Sequence, residues 1–239
     1  MIQTHSMILW AKASQKDFDT AALKAYRVLA VLSEFGPQLS PNFITSARKK
    51  DAPSFDGTYE KFKELLRKRV NKEGSTEFPE LGYSIGFFSS HDSKNSSGIH
   101  IQAGVTHPQF INTVVVHFPE ALPIFDDATV AEKLVQVFRK CVEVFDPFWG
   151  CISNSVNADR YNGYWYEQLP TATHWMNFFG SDIVTQMGIP KIEQAPVQKV
   201  ERLSNGYFVM LKDSPINDEN EFDIKIQNKA NLYFDFRNS

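Results

Sequence analysis

Residues 81–118 read LGYSIGFFSSHDSKNSSGIHIQAGVTHPQFINTVVVHF, and their apolar positions alternate in three successive runs. Leu81, Tyr83, Ile85 and Phe87 form the first run, and Ile99, Ile101, Ala103 and Val105 the second. In the third, Asn112, Val114, Val116 and Phe118 alternate against Ile111, Thr113, Val115 and His117. Period two is the spacing at which side chains return to the same face of a strand. The polar run 92–98 supplies a turn between the first two members. An antiparallel meander follows, with one buried face that helices from elsewhere in the chain must cover.

Working outward, an opening strand is expected at 6–13. A helix is expected at Phe18–Phe35, with Leu23, Tyr26, Ala30 and Leu32 near one face and Gly36-Pro37 stopping it. A short extended stretch, 43–47, precedes a second helix at 58–71 whose stripe is Phe62, Leu65, Leu66 and Val70. Beyond the meander a third helix is predicted over Ala128–Phe145. Its buried side carries Val130, Leu134, Val137, Phe138, Cys141 and Val142, with Asp126-Asp127 at its positive end. Asp146-Pro147 ends it, and a strand starts at once in 148–152. Segment 157–170 reads as a loop, 174–180 resumes an apolar pattern, and 197–203 with 207–211 forms a hairpin through Ser204-Asn205-Gly206. An acidic segment, 213–223, precedes a last stretch ending near Phe236. With no repeat, low-complexity linker or composition shift, the expectation is one α+β domain over 1–239: a largely antiparallel sheet covered by amphipathic helices.

At 239 residues and 42% hydrophobic content, the chain can bury a core without disulfides or metals. Its formal charge of −3 lacks the basic excess needed to neutralise many phosphates, which argues against direct nucleic-acid binding. Cys141 and Cys151 match neither a disulfide framework nor a zinc set and are read as buried thiols. The apolar run 7–11 is too brief for a signal peptide, and no stretch suits a membrane helix, so a cytoplasmic, soluble protein is expected.

The chain holds no nucleophile elbow, phosphate loop, zincin helix or dinucleotide fingerprint, and the reading is of a protein that is not an enzyme and needs no cofactor. The alternative is a small metal-dependent hydrolase built on the sheet histidines His91, His100, His107 and His117. It would require His100 and His117 to meet on one face. The aromatic loop is the stronger contact candidate. Asp159, Arg160, Tyr161, Tyr164, Trp165 and Tyr166 are of the types that dominate interface hot spots, although the same rings could instead form a lid over a sheet edge or line a small-ligand pocket. The acidic residues Asp218, Glu219 and Glu221, with Asp213 and Asp223, would lie in a solvated turn and steer a basic partner.

Several landmarks occur in order along most of the chain. They are the N-terminal helix before Pro41, Leu81-Gly82-Tyr83-Ser84-Ile85, Ala103-Gly104, Val114-Val115-Val116-His117-Phe118-Pro119, Asp146-Pro147-Phe148-Trp149-Gly150, His174-Trp175-Met176-Asn177-Phe178-Phe179, and Asn205-Gly206-Tyr207-Phe208-Val209-Met210. This set resembles the immunity protein 52 family of bacterial polymorphic-toxin systems. The resemblance implies a cytoplasmic antidote that binds a cognate effector, often a nuclease-type toxin delivered by a contact-dependent or type VI secretion route. A mildly acidic inhibitor suits a basic nuclease site.

Overall fold

The computed structural model describes residues 4–160, 165–166 and 169–236, the side chains of 157–159, 165–166 and 169 excepted. The fold is α+β, with a large antiparallel sheet, and comprises two compact units, Ile8–Leu122 and Met1–Met7 with Pro123–Ser239. Strand β1 (His5–Lys12) contributes residues to both.

In the unit 8–122, α1 (Phe18–Phe35) has the predicted bounds because both ends are capped. Asp17 accepts from the Thr20 N–H at 2.9 Å, and Gly36 leaves the helix at φ 133°. Its buried stripe is Ala22, Ala25, Val28, Leu29, Val31 and Leu32. The buried face is therefore rotated from the expected one: Leu23 is 37% exposed, and Ala22 and Ala25 turn inward. Next come β2 (Phe43–Ile44) and α2 (Tyr59–Arg67), which Thr58 caps and which buries Phe62 and Leu66. This helix ends four residues before the predicted 71 because the backbone is diverted into the sheet. Val70 bridges Tyr83, and the Ser84 N–H donates to the Arg69 carbonyl at 2.9 Å. A small hairpin, β3 (Lys72–Glu73) with β4 (Thr76–Glu77), carries the chain onward through Gly74, φ 59°.

The meander is present as read: β5 (Tyr83–Phe88), β6 (Gly98–Ala103) and β7 (Ile111–His117). Register pairs Ile85 with Ile101 and Ile101 with Val114, so one face is a column of buried aliphatics. The strand order in this unit is β1-β7-β6-β5-β2.

In the other unit, α3 (Ala128–Phe145) again matches its prediction. Asp127 accepts from the Thr129 N–H at 2.9 Å, and Asp146 closes the helix in the left-handed region at φ 53°. Phe138 meets Phe208 at 6.0 Å between ring centroids, which seats α3 on the sheet. Strand β8 (Trp149–Asn154) is buried on both faces. The segment read as a loop instead opens with a short helix, α4 (Ser155–Arg160), and holds a two-residue ladder, β9 (Trp165–Tyr166) with β10 (Leu169–Pro170). Then come β11 (Met176–Gly180), also wholly buried, α5 (Ser181–Met187), α6 (Ile189–Glu193), the predicted hairpin β12 (Lys199–Leu203) and β13 (Gly206–Met210), and α7 (Glu221–Phe234). The strand order here is β12-β13-β11-β8-β1. Gly206 pairs with Gly180, and a Cβ at 206 would lie 2.1 Å from the Phe179 carbonyl oxygen, so that crossing admits no side chain.

Between β10 and β11 the chain runs through 171–175 fully buried without a partner strand of its own. Buried backbone must be hydrogen-bonded, and here amide side chains supply partners for Thr173 and His174, while the Trp175 carbonyl accepts from the Leu211 N–H at 3.0 Å. Asn231 accepts from the Thr173 N–H at 2.6 Å and its hydroxyl at 2.7 Å, while the Gln227 side chain donates to the Thr173 carbonyl at 2.6 Å. Asn177 both accepts from the His174 N–H and donates to its carbonyl. The Trp175 indole N–H donates to the Lys212 carbonyl at 3.0 Å.

Burial lowers the pKa of two histidines in this unit, His5 to about 4 (opposed by a backbone hydrogen bond with Ile216) and His174 to about 3. Both rings are neutral in the fold and gain a proton more readily when the chain unfolds. Stability from them is therefore complete above the ordinary value of 6.5 and is lost as pH falls toward the folded values. Urea midpoints measured across that window should decline with acidity, and in His5→Gln the decline should be shallower.

Among the described residues, no helix is long and apolar enough to cross a membrane.

Candidate interaction site

Helix α7 has an inverted pattern that builds this site. Its inward face carries Asp223, Gln227, Ala230, Asn231 and Phe234, whereas Phe222 is 69% and Leu232 75% exposed. The polar residues face in because they have buried work. Gln227 and Asn231 bind Thr173, and Asp223 accepts from the Lys212 ammonium at 2.6 Å and the Asn217 N–H at 2.9 Å. Asn220 caps the helix through the Phe222 N–H, and the first turn is thereby pinned with the Phe222 ring outward.

Opposite it, the turn before α3 folds back through Asp126 and Asp127 N–H bonds to the Pro123 carbonyl. Phe125 sits on this turn, 43% exposed, with its ring edge-on to His5 at 5.3 Å. Between the two rings lies a groove of about 720 Å³. Ala131, Val197, Leu211 and Ile226 line it, and Asp126, Gln198, Asp213 and Lys229 stand among its polar groups. Gln198 donates to Asp213 at 3.1 Å, holding that carboxylate in place. Lys212 also lines the groove, but its charge is taken up by Asp223. Glu219 and Glu221, the latter paired with Lys225 at 3.9 Å, lie just before Phe222 and are exposed. The result is an apolar trough with exposed aromatics and a mostly negative border, the anatomy of a protein-binding patch.

The residues singled out by sequence fall in several places. Tyr161 and Tyr164 lie outside the described residues. Asp159 falls in α4, and Trp165 and Tyr166 form β9, paired with Pro170 and Leu169 respectively. Arg160 and Asp218 meet at 3.0 Å. Asp218 is 8% exposed, so it is no solvated surface charge: desolvation pushes its carboxyl up, while Arg160 and Asn154 pull it down. Asp223 is likewise buried rather than solvated. The loop after β13 thus joins both regions, carrying Asp213 and Ser214 into the groove and Asp218 to Arg160. Phe125 and Phe222 were missed, since the only local signal for either is a large ring beside acidic residues.

The sheet histidines are dispersed. His91 packs on Phe43 and Phe88, and His107 on Phe110. His100 and His117 share the solvent face of the meander on a diagonal. Among the described residues no three His, Cys, Asp or Glu side chains gather as a metal set. Cys141 and Cys151 are both buried, and burial pushes the Cys151 thiol up.

No protein-family model matches the chain, and no curated protein matches it. Its fold is similar to that of the Pseudomonas aeruginosa T6SS protein PA0821, with a TM-score of 0.64 at 12% identity, over 99% of this chain and 73% of that one.

Proposed function

We propose that this protein is an immunity protein that neutralises a cognate toxin effector in the cytoplasm by direct binding, without catalysis of its own. The observation that carries the reading is the likeness of nearly the whole fold to a T6SS protein. Two further features support it. The ordered landmarks resemble the immunity protein 52 family, and the groove between Phe125 and Phe222 presents exposed rings within a negative border. That border suits a basic effector such as a nuclease, because opposite charge steers encounter while the desolvated rings hold the complex. Delivery of that effector by a type VI or contact-dependent route follows from the same resemblance.

The test is co-expression with the product of the neighbouring open reading frame as the candidate effector. The expected outcome is restored growth together with a complex that survives size-exclusion chromatography. Unrelieved toxicity with no complex would overturn the reading. Tyr164→Ala with Trp165→Ala in the same assay asks whether the aromatic segment shares the interface, with a loss of about 2 kcal/mol expected if it does.

A further inference from the structure

The solvent face of the meander holds a second concavity, independent of the groove and of the toxin reading. Gly86 lies directly across from His100, and Gly98 directly across from His117. The Thr45 side chain covers Gly86, whereas at Gly98 only the His117 ring lies within contact distance of where a Cβ would stand. The hollow measures about 350 Å³ and is lined by Thr45, Arg69, Ser84, His100 and His117 together with the two glycines. It cannot be filled at Gly86 without movement, because a Cβ there would lie 2.8 Å from the Thr45 hydroxyl. Ser84 and His100 Nε2 are 3.1 Å apart, which orients that ring over the hollow.

The charge pattern is one-sided. Arg69, His100 and His117 are exposed, and no carboxylate belongs to the lining. Farther along the same face, Phe88 carries Lys49 at 5.0 Å and His91 at 5.5 Å from its ring centroid. Asp92, which feels the Lys49 charge, is already engaged with Asn95 and the Lys94 N–H. Desolvation lowers both imidazoles, and His100 is lowered further by His117, so a negative charge beside them would favour the protonated pair.

We infer that this hollow is a binding site for one oxyanion, a phosphate or carboxylate group, held by Arg69, His100 and His117 with the Ser84 and Thr45 hydroxyls as further donors. A guanidinium matches such oxygens with parallel N–H bonds, and two protonated imidazoles add charge-assisted donors. Binding is consequently coupled to proton uptake by the histidine pair, and affinity rises as pH falls.

The experiment titrates the full chain with inorganic phosphate and, separately, with acetate, at about pH 5.5 and about pH 7.5, following the histidine ring resonances by NMR. Saturable shifts confined to His100 and His117 are expected, at least about tenfold tighter at the lower pH, and lost in Arg69→Ala and in His100→Gln. These side chains are exposed, so the variants should fold as the parent does. Saturation by phosphate alone points to a phosphoryl ligand, and saturation by acetate alone to an acidic side chain or terminus. Absence of saturation, persistence of binding in both variants, or a response to zinc but to neither anion would overturn the proposal.

Discussion

In the proposed complex with a toxin effector, Phe222→Glu should weaken binding by about 30-fold or more and leave the unfolding midpoint in place. The factor corresponds to a hot spot of at least ~2 kcal/mol. Phe222 is 69% exposed in the free protein, so its removal sacrifices little packing. A glutamate in the first turn of α7 also lies at the positive end of the helix dipole, which favours folding slightly. Isothermal titration with the effector, beside a thermal melt of the free variant, separates the two quantities. Equal affinity for parent and variant would move the interface away from the groove, even if co-expression still protects the cell.

Asn231→Leu, which keeps the branching of the side chain, should be among the most damaging single changes. It removes the acceptor of both the Thr173 N–H and the Thr173 hydroxyl in a region with no access to water. Each buried donor left unmade costs about 1–3 kcal/mol, giving about 2–6 kcal/mol together. For a chain of this length that corresponds to a fall of about 10 °C in the melting midpoint. Lys225→Ala, on the exposed side of the same helix, should stay within about 0.5 kcal/mol of the parent. Calorimetry on the pair tests whether α7 is held by its amides rather than by its apolar residues.

The contrast between α7 and the two long helices explains how far a reading of the chain could go. Helices α1 and α3 announce themselves locally: Asp17 and Asp127 cap their starts, and Gly36 and Asp146-Pro147 stop them. Their boundaries depend on interactions within a few residues. In α7 the alternation of Phe222, Ile224 and Ile226 imitates a strand, while the residues that turn inward are polar. Polarity predicts solvent exposure unless a buried partner exists, and the partner, Thr173, is remote in sequence. Asp218 and Asp223 escaped for the same reason: Arg160 and Lys212 neutralise them inside the fold. Helix α2 was overextended because its pattern continued to Val70, yet the edge of β5 took that residue's backbone.

The period-two runs in 81–118 were sufficient to specify an antiparallel α+β fold and which face of the meander is dry, because strand geometry imposes that alternation on any chain that pairs there. The groove between Phe125 and Phe222, the amide ladder on Thr173 and the hollow beside Gly86 arose only on folding. Each joins groups far apart along the chain, and no spacing rule can bring them together before the sheet has set the register.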